Sequence, residues 1–242
     1  MRVIGIIGYK KSGKTTLTLK LSNELTKRGY KVAVVKHVNK DIGLNNTDTS
    51  KYKKCLAQVA AITSEESVIF LKNKKNIEEI IKYFEADIIL IEGFKKEKTF
   101  PKIVCLREKS EKVELFDGLQ LCTAGFVSKG VDSKLYDFNI LNDEDIEKIA
   151  EIAINKSFKL PNLNCEECRY KDCYGLAQEI VKGNKTPDDC PSLEPSTLAK
   201  VNGKIISMNP FISKTVKNTI IGLLSSLKGF TKGDIEIKIR KK

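Results

Sequence analysis

Along this chain the spacing of apolar positions changes several times, and each change marks an element. Residues 2–7 form a short apolar run closed by Gly8, the pattern of a buried strand. From residue 15 to 28 the spacing lengthens. Leu17, Leu21 and Leu25 fall four apart on one face of a predicted helix, and Gly29 stands where a helix ends. Residues 31–36 (KVAVVK) predict a second strand. Residues 38–50 are rich in Asn, Thr and Asp and read as a loop. Short strands are expected at 59–63 and 68–71, a helix at 77–84, and a continuous apolar strand at 88–92 that ends in an acid. Further strands are expected at 103–106 and 121–127, and a helix at 143–155. Strands alternate with helices, and several strands lack a polar face. The fold class this predicts is α/β, a mostly parallel sheet with helices on both faces.

The pattern also divides the chain. Residues 1–158 read as the α/β domain. Pro161 opens a linker into a cysteine-rich stretch, residues 159–194. Residues 195–242 predict a small β-α-β unit: a strand at 201–207, an amphipathic helix at 211–227, and a strand at 234–240 where Ile235, Ile237 and Ile239 alternate with charges.

Composition narrows the function classes. A chain of 242 residues, 41% hydrophobic, can bury a core without disulfides. No apolar run approaches the roughly 20 residues of a membrane span. The chain enters its first strand directly from Met1, with no signal-peptide pattern, so a cytoplasmic location is expected. The net charge of +12 invites an anionic partner, either nucleic acid or a phosphorylated small molecule. The lysines are spread along the chain, however, and no nucleic-acid motif is present. That argues against nucleic acid and fits lysines that simply coat the surface.

One motif carries specific chemistry. Gly8-Tyr9-Lys10-Lys11-Ser12-Gly13-Lys14-Thr15 fits G-x-x-x-x-G-K-[ST], the P-loop or Walker A pattern. Glycines let the backbone close around phosphates, and amides at a helix start cradle their oxygens. Lys14 would reach the β- and γ-phosphates, and the Thr15 hydroxyl would ligate Mg²⁺. The motif follows a predicted strand and opens a predicted helix, as this chemistry requires. Glu92 ends its strand where open α/β sheets bind ligands, and is the expected acid for Mg²⁺ or its water. Asp48, in Thr47-Asp48-Thr49-Ser50, is a third candidate acid. His37 is the only histidine, and a lone histidine is more often structural than catalytic. With neither an arginine finger nor a catalytic glutamine evident, slow hydrolysis is expected.

A second motif is C-x2-C-x4-C-x16-C over Cys165, Cys168, Cys173 and Cys190, with a helix predicted between the last two. In a cytosolic chain four clustered thiols point to a metal site before disulfides. Spacing alone fits Zn²⁺ and a [4Fe–4S] cluster equally. Cys55, Cys105 and Cys122 lie in or near apolar segments and read as buried packing residues.

The ordered set of motifs resembles a known family. Residues 8–17, the Lys36-His37 pair, Thr47-Asp48-Thr49-Ser50 and residues 88–94 with Glu92-Gly93 are similar to the molybdopterin-guanine dinucleotide biosynthesis protein B family. That resemblance implies GTP as the nucleotide, weak GTPase activity, homodimers, and assistance to a nucleotidyltransferase that attaches GMP to molybdopterin. It also extends the binding set to Thr16, His37 and Asp48. Residues 165–191 resemble a four-cysteine [4Fe–4S] module of anaerobic corrinoid and redox proteins, which favours iron–sulfur over zinc. The alternative reading is a redox-gated or metal-delivering P-loop NTPase of metallocofactor assembly.

Overall fold

The computed structural model describes residues 1–38, 48–73, 75–126, 137–193, 197, 199–201, 204–206, 208, 210–231, 233 and 235–239. The apolar runs form strands β1 (Arg2–Gly8), β2 (Val32–Lys36), β5 (Ile88–Glu92), β6 (Lys102–Cys105), β7 (Gln120–Gly125) and β8 (Phe138–Asn139). These build one six-stranded sheet in the order β2-β5-β1-β6-β7-β8, and every pairing in it is parallel.

Side chains alternate across β1 and β5, so each strand serves two cores. Ile4, Ile6, Ile88 and Leu90 pack beneath helices α1 (Lys14–Lys27) and α5 (Asp143–Lys156), against Leu17, Leu21, Leu25, Ile149 and Ala153. Val3, Ile89 and Ile91 face the opposite side, against Ile77, Ile81 and Phe100. Each such fully buried Ile or Leu contributes about 1.5–3 kcal/mol relative to exposure. The expected sheet with helices on both faces is therefore present.

The parallel register also sets up one end of the sheet. Ile6 lies opposite Glu92, Lys36 opposite Glu92, and Gly8 opposite Cys105. The carboxyl ends of β1, β2, β5 and β6 thus finish together.

Several elements differ from expectation. Residues 48–50 belong not to a loop but to helix α2 (Asp48–Cys55); residues 39–47 of the predicted loop lie outside the described residues. Strands β3 (Gln58–Ile62) and β4 (Ser67–Leu71) pair antiparallel as a separate hairpin rather than joining the parallel sheet. Their connection is too short for a parallel crossover. Thr63 also closes it locally, its Oγ1 accepting the Glu65 and Glu66 amides at 3.2 and 3.0 Å. Helix α3 (Ile77–Ile80), capped by Asn76 and Glu79, tightens into a 3₁₀ turn over Ile81–Tyr83. A short helix α4 (Glu111–Leu115) was not foreseen.

The cysteine-rich segment packs directly on the α/β part. Leu119, Phe158, Leu160, Leu176 and Ala177 share one core with Cys173 and Cys190. Helix α6 (Cys173–Lys182) ends at Gly183, whose φ of 83° suits the left-handed closing position.

The terminal β-α-β expectation is corrected. Its first strand is instead a hairpin, β9 (Ala199–Val201) with β10 (Lys204–Ile206), followed by helix α7 (Pro210–Ser225). Residues 235–239 join no strand, and Ile239 is 90% exposed. Among the described residues, no helix is long and apolar enough to cross a membrane.

Candidate functional site

The glycine loop lies between β1 and α1 at the carboxyl end of the sheet. Gly8 has φ 154°, and a Cβ there would meet the Cys105 carbonyl oxygen at 2.3 Å. Gly13 has φ 88°, and a Cβ there would meet Ile140 at 2.4 Å. Both positions therefore require glycine, since the clashing atoms are backbone or core. Gly13 caps α1 without a side-chain hydrogen bond, and the first turn carries no acid. The positive end of the helix and its first amides are thus left for an external anion. Ser12 Oγ is buried without a hydrogen-bond partner among the described residues.

Lys14 extends back along the loop, Nζ donating to the Tyr9 carbonyl at 2.6 Å. Burial pushes its amine below the ordinary lysine value; Lys36 and Arg107 act in the same direction, against Cys105 and Glu92. The Thr15 hydroxyl donates to Glu92 Oε1 at 2.9 Å, bridging α1 to β5. Thr16 follows in the first turn, half-buried. Lys10 and Lys11 are exposed, Lys11 in the left-handed region at φ 66°.

Three residues that sequence reasoning did not assign to the site stand in it. Lys36 Nζ lies 3.1 Å from Glu92 Oε1 and 3.2 Å from Thr15 Oγ1, a cation held between the two oxygens. Lys95 Nζ sits 3.3 Å over the Tyr9 ring. Arg107, just beyond β6, lies 5.5 Å from the same ring and donates to the Lys10 carbonyl at 3.4 Å. Its guanidinium also pairs with Glu111 at 2.5 Å. The Tyr9 hydroxyl donates to Glu114. Lys36, which ends β2, was marked in the sequence only through its pairing with His37, and Lys95 and Arg107 only by following the carboxyl ends of β5 and β6.

His37 is exposed. Its backbone N–H donates to the Glu92 carbonyl at 2.9 Å, and its ring tilts against Phe94 at 4.8 Å. It stands at the rim of the site, beside Glu92 rather than the loop. Asp48 begins α2, and its side chain lies outside the described residues.

The four clustered cysteines are brought near one another. Cys165 and Cys168 come from a loop in which Asn162, Asn164, Glu166 and Arg169 all adopt positive φ. Cys173 opens α6, its N–H donating to Asn164 Oδ1 at 2.9 Å. Cys190 closes the 3₁₀ turn Pro187–Asp189. Burial pushes the Cys190 thiol up; a Ser192 backbone hydrogen bond opposes this, and Cys173, Cys168 and Cys165 push it further up. Among the described residues no three or more His, Cys, Asp or Glu side chains are closed into metal-holding geometry. Cys165, Cys168 and Cys173 lie near enough to Cys190 to act on its thiol, but the four do not close on one point. The donor set nonetheless fits an iron–sulfur cluster or zinc in kind and number. Of the four left-handed residues, Asn162 and Asn164 are of a type that adopts this backbone readily, whereas Glu166 and Arg169 are uncommon there.

The other cysteines divide. Cys105 and Cys122 are buried, and burial pushes both thiols up to about 12. Cys55, expected to be buried, is exposed at the last position of α2, a helix with no buried face.

These features define the class: an α/β protein with a helix-opening glycine loop at its sheet's carboxyl end and an appended four-cysteine segment. The family described as "Molybdopterin guanine dinucleotide synthesis protein B" matches residues 3–127, and the one described as "Putative Fe-S cluster" matches residues 160–192. A Methanocaldococcus jannaschii protein named "Putative molybdopterin-guanine dinucleotide biosynthesis adapter protein" is 34% identical, with 95% of this chain and 93% of that protein covered. A Haemophilus influenzae molybdopterin-guanine dinucleotide biosynthesis adapter protein is 32% identical over 57% of this chain and 82% of its own length. The crystal structure of Bacillus subtilis MobB shares the fold, with a TM-score of 0.50 at 18% identity over 62% of this chain and 97% of that one. The chain belongs to the molybdopterin guanine dinucleotide synthesis protein B family.

Proposed function

We propose that this protein is an adapter in molybdopterin guanine dinucleotide biosynthesis that binds GTP with Mg²⁺ on its glycine loop. The observation that carries the nucleotide reading is the Thr15–Glu92–Lys36 triangle beside that loop. Two oxygens on adjacent elements already hold a cation, the Lys36 ammonium, at 3.1 and 3.2 Å. Thr15 and Glu92 fit Mg²⁺ directly or through water, with Asp48 as the third acid. Bound there, Mg²⁺ would neutralise charge on the β- and γ-phosphate oxygens. The amides of residues 10–15 hold the phosphates, with Gly8, Tyr9 and Gly13 shaping the loop and Thr16 continuing it. Lys14 stabilises charge on the β- and γ-oxygens, which makes it, with Glu92, the centre of a weak GTPase. The His37–Phe94 pair offers a rim against which a base can lie.

The names of the relatives support the pathway. The partners that fit it are molybdopterin and its nucleotidyltransferase, with the chain acting as a cytoplasmic homodimer. Residues 1–158 serve as the nucleotide domain, 159–194 as the cluster module and 195–242 as a terminal unit. The test is reconstitution. A molybdopterin nucleotidyltransferase given molybdopterin and GTP·Mg²⁺ should make guanine dinucleotide faster when this protein is added. No stimulation, together with no GTP binding by calorimetry, would remove the proposal.

Cys165, Cys168, Cys173 and Cys190 are proposed to hold a [4Fe–4S] cluster, with zinc as the alternative. Anaerobically purified protein should contain about four iron and four sulfide per chain and a broad absorption near ~400 nm. One zinc without sulfide would assign the four thiols to a structural clip instead.

A further inference from the structure

Beside the glycine loop, Lys95 is held with its ammonium over the Tyr9 ring, next to two further cations. Gly93 and Phe94 both adopt left-handed backbone, φ 98° and 52°, and turn the chain from the end of β5 back over the loop. A Cβ on Gly93 would strike His37 at 2.9 Å, so the turn depends on that glycine. Lys95 Nζ then sits 3.3 Å over the Tyr9 ring, while Lys14 donates to the Tyr9 carbonyl at 2.6 Å. Arg107 flanks the same ring at 5.5 Å. Burial lowers the affinity of Lys95 for its proton, and Lys14 and Arg107 lower it further. The carboxylate that opposes this, Glu111, is already paired with Arg107 at 2.5 Å. Glu111 and Glu114, which accepts the Tyr9 hydroxyl, offset the mutual repulsion of these three cations only in part, since Lys14 and Lys95 both stay below the ordinary lysine value, and an added anion would favour the group.

The position of Lys95 is fixed from behind. Its carbonyl accepts Lys102 Nζ at 3.0 Å. Lys102, fully buried, pairs with Asp117 Oδ2 at 2.5 Å, and Lys98 pairs with the same oxygen at 2.8 Å. The Asp117 carbonyl in turn accepts the Tyr174 hydroxyl, and Gln178 Nε2 at 3.1 Å. Tyr174 and Gln178 lie on α6, and Tyr174 directly follows Cys173. A continuous chain of polar contacts thus joins the four-cysteine segment to the mouth of the glycine loop.

We propose that Lys95 contacts the terminal phosphate and makes the site prefer a nucleoside triphosphate to a diphosphate, and that the four-cysteine segment sets its position through Asp117. This rests on the nucleotide reading above. Lys14 and the loop amides serve both nucleotides, whereas Lys95 gains a charged contact only when the third phosphate is present. It is a binding residue; Asp117 and Tyr174 are positioning residues.

The experiment is calorimetric titration of the full, anaerobically purified chain with GTP and with GDP, both with Mg²⁺. In Lys95→Met, GTP affinity should fall about tenfold while GDP affinity stays within about twofold. Lys95→Arg, which keeps the charge, should restore most of the preference. Tyr174→Phe, which deletes only a hydroxyl, should lower the GTP-to-GDP ratio by about threefold at unchanged iron content. An unchanged ratio in Lys95→Met, or equal loss of both nucleotides, overturns the assignment of Lys95 and leaves the nucleotide reading standing. An unchanged ratio in Tyr174→Phe overturns the link to the four-cysteine segment. Undiminished binding of both nucleotides by Lys14→Ala overturns the nucleotide reading itself.

Discussion

Lys14→Ala should lower affinity for GTP·Mg²⁺ by about 100-fold or more, close to 3 kcal/mol of charge-assisted contact. Lys14, unlike the exposed Lys10 and Lys11, is half-buried in the loop, and its amine is already drawn onto the Tyr9 carbonyl at 2.6 Å. Burial depresses its pKa in the ligand-free protein. In the interval between its folded and ordinary values, the unfolded chain therefore binds more protons than the folded one. The sign follows from that difference: the charge subtracts from stability at neutral pH, and the deficit is relieved as pH rises through the lowered folded value. Bound phosphates reverse the balance by favouring the ammonium. Lys14→Met, which keeps the side chain's length, should thus leave the ligand-free melting temperature unchanged or raised, yet abolish the rise that GTP·Mg²⁺ produces in the parent. Thermal melts with and without nucleotide read both effects. A nucleotide-dependent rise that survives in Lys14→Met would show that phosphates bind elsewhere.

How far this site was legible in the sequence depends on what each residue's signal was. The glycine loop carries its own spacing, and Glu92 ends an apolar run, so both stood out. Lys95 and Arg107 are single cations among 43 lysines and arginines with no local pattern to separate them, and Lys36 was marked only by its pairing with His37. Only the parallel register, which sets Lys36 opposite Glu92, and the left-handed turn at Gly93-Phe94 bring them to the loop. The fold divides the same way. β5 is buried throughout, β1 from Val3 onward, and α1 buries Leu17, Leu21 and Leu25, the face that its spacing marks. Helix α2, DTSKYKKC, has no apolar stripe and so looks like a loop. β3 and β4 were recognisable as strands, but partner choice is not encoded within a strand. The strand predicted at 201–207 contains Asn202-Gly203, a two-residue hairpin signal that its apolar flanks concealed and that separates β9 from β10.

Asp117→Ala should destabilise the protein by about 3–5 kcal/mol, the usual consequence of stranding a buried charge. Lys102 has no exposed side-chain surface and Asp117 only 14%, and they meet at 2.5 Å. Burial lowers the Lys102 pKa even with its partner present, so without Asp117 the ammonium would be kept only at greater cost. Burial alone would raise the Asp117 carboxyl, but hydrogen bonds from Lys102 and Lys98 outweigh it and hold the group below the ordinary aspartate value. A depressed carboxylate contributes stability above its unfolded pKa of about 3.9 and loses it as pH falls through the folded value. The parent should therefore lose stability on acidification below about pH 4, and Asp117→Asn should show a shallower acid loss from a lower starting point. Urea denaturation across pH measures both. The decisive variant is Asp117→Ala combined with Lys102→Met, which removes both charges and keeps most of the apolar volume. If the stranded ammonium is what destabilises Asp117→Ala, the double variant should recover most of the loss. If it does not, the Asp117 carboxylate matters mainly through its second lysine, Lys98, and through the strand end it closes, since its N–H-accepting Oδ1 also holds Leu119 at 3.2 Å.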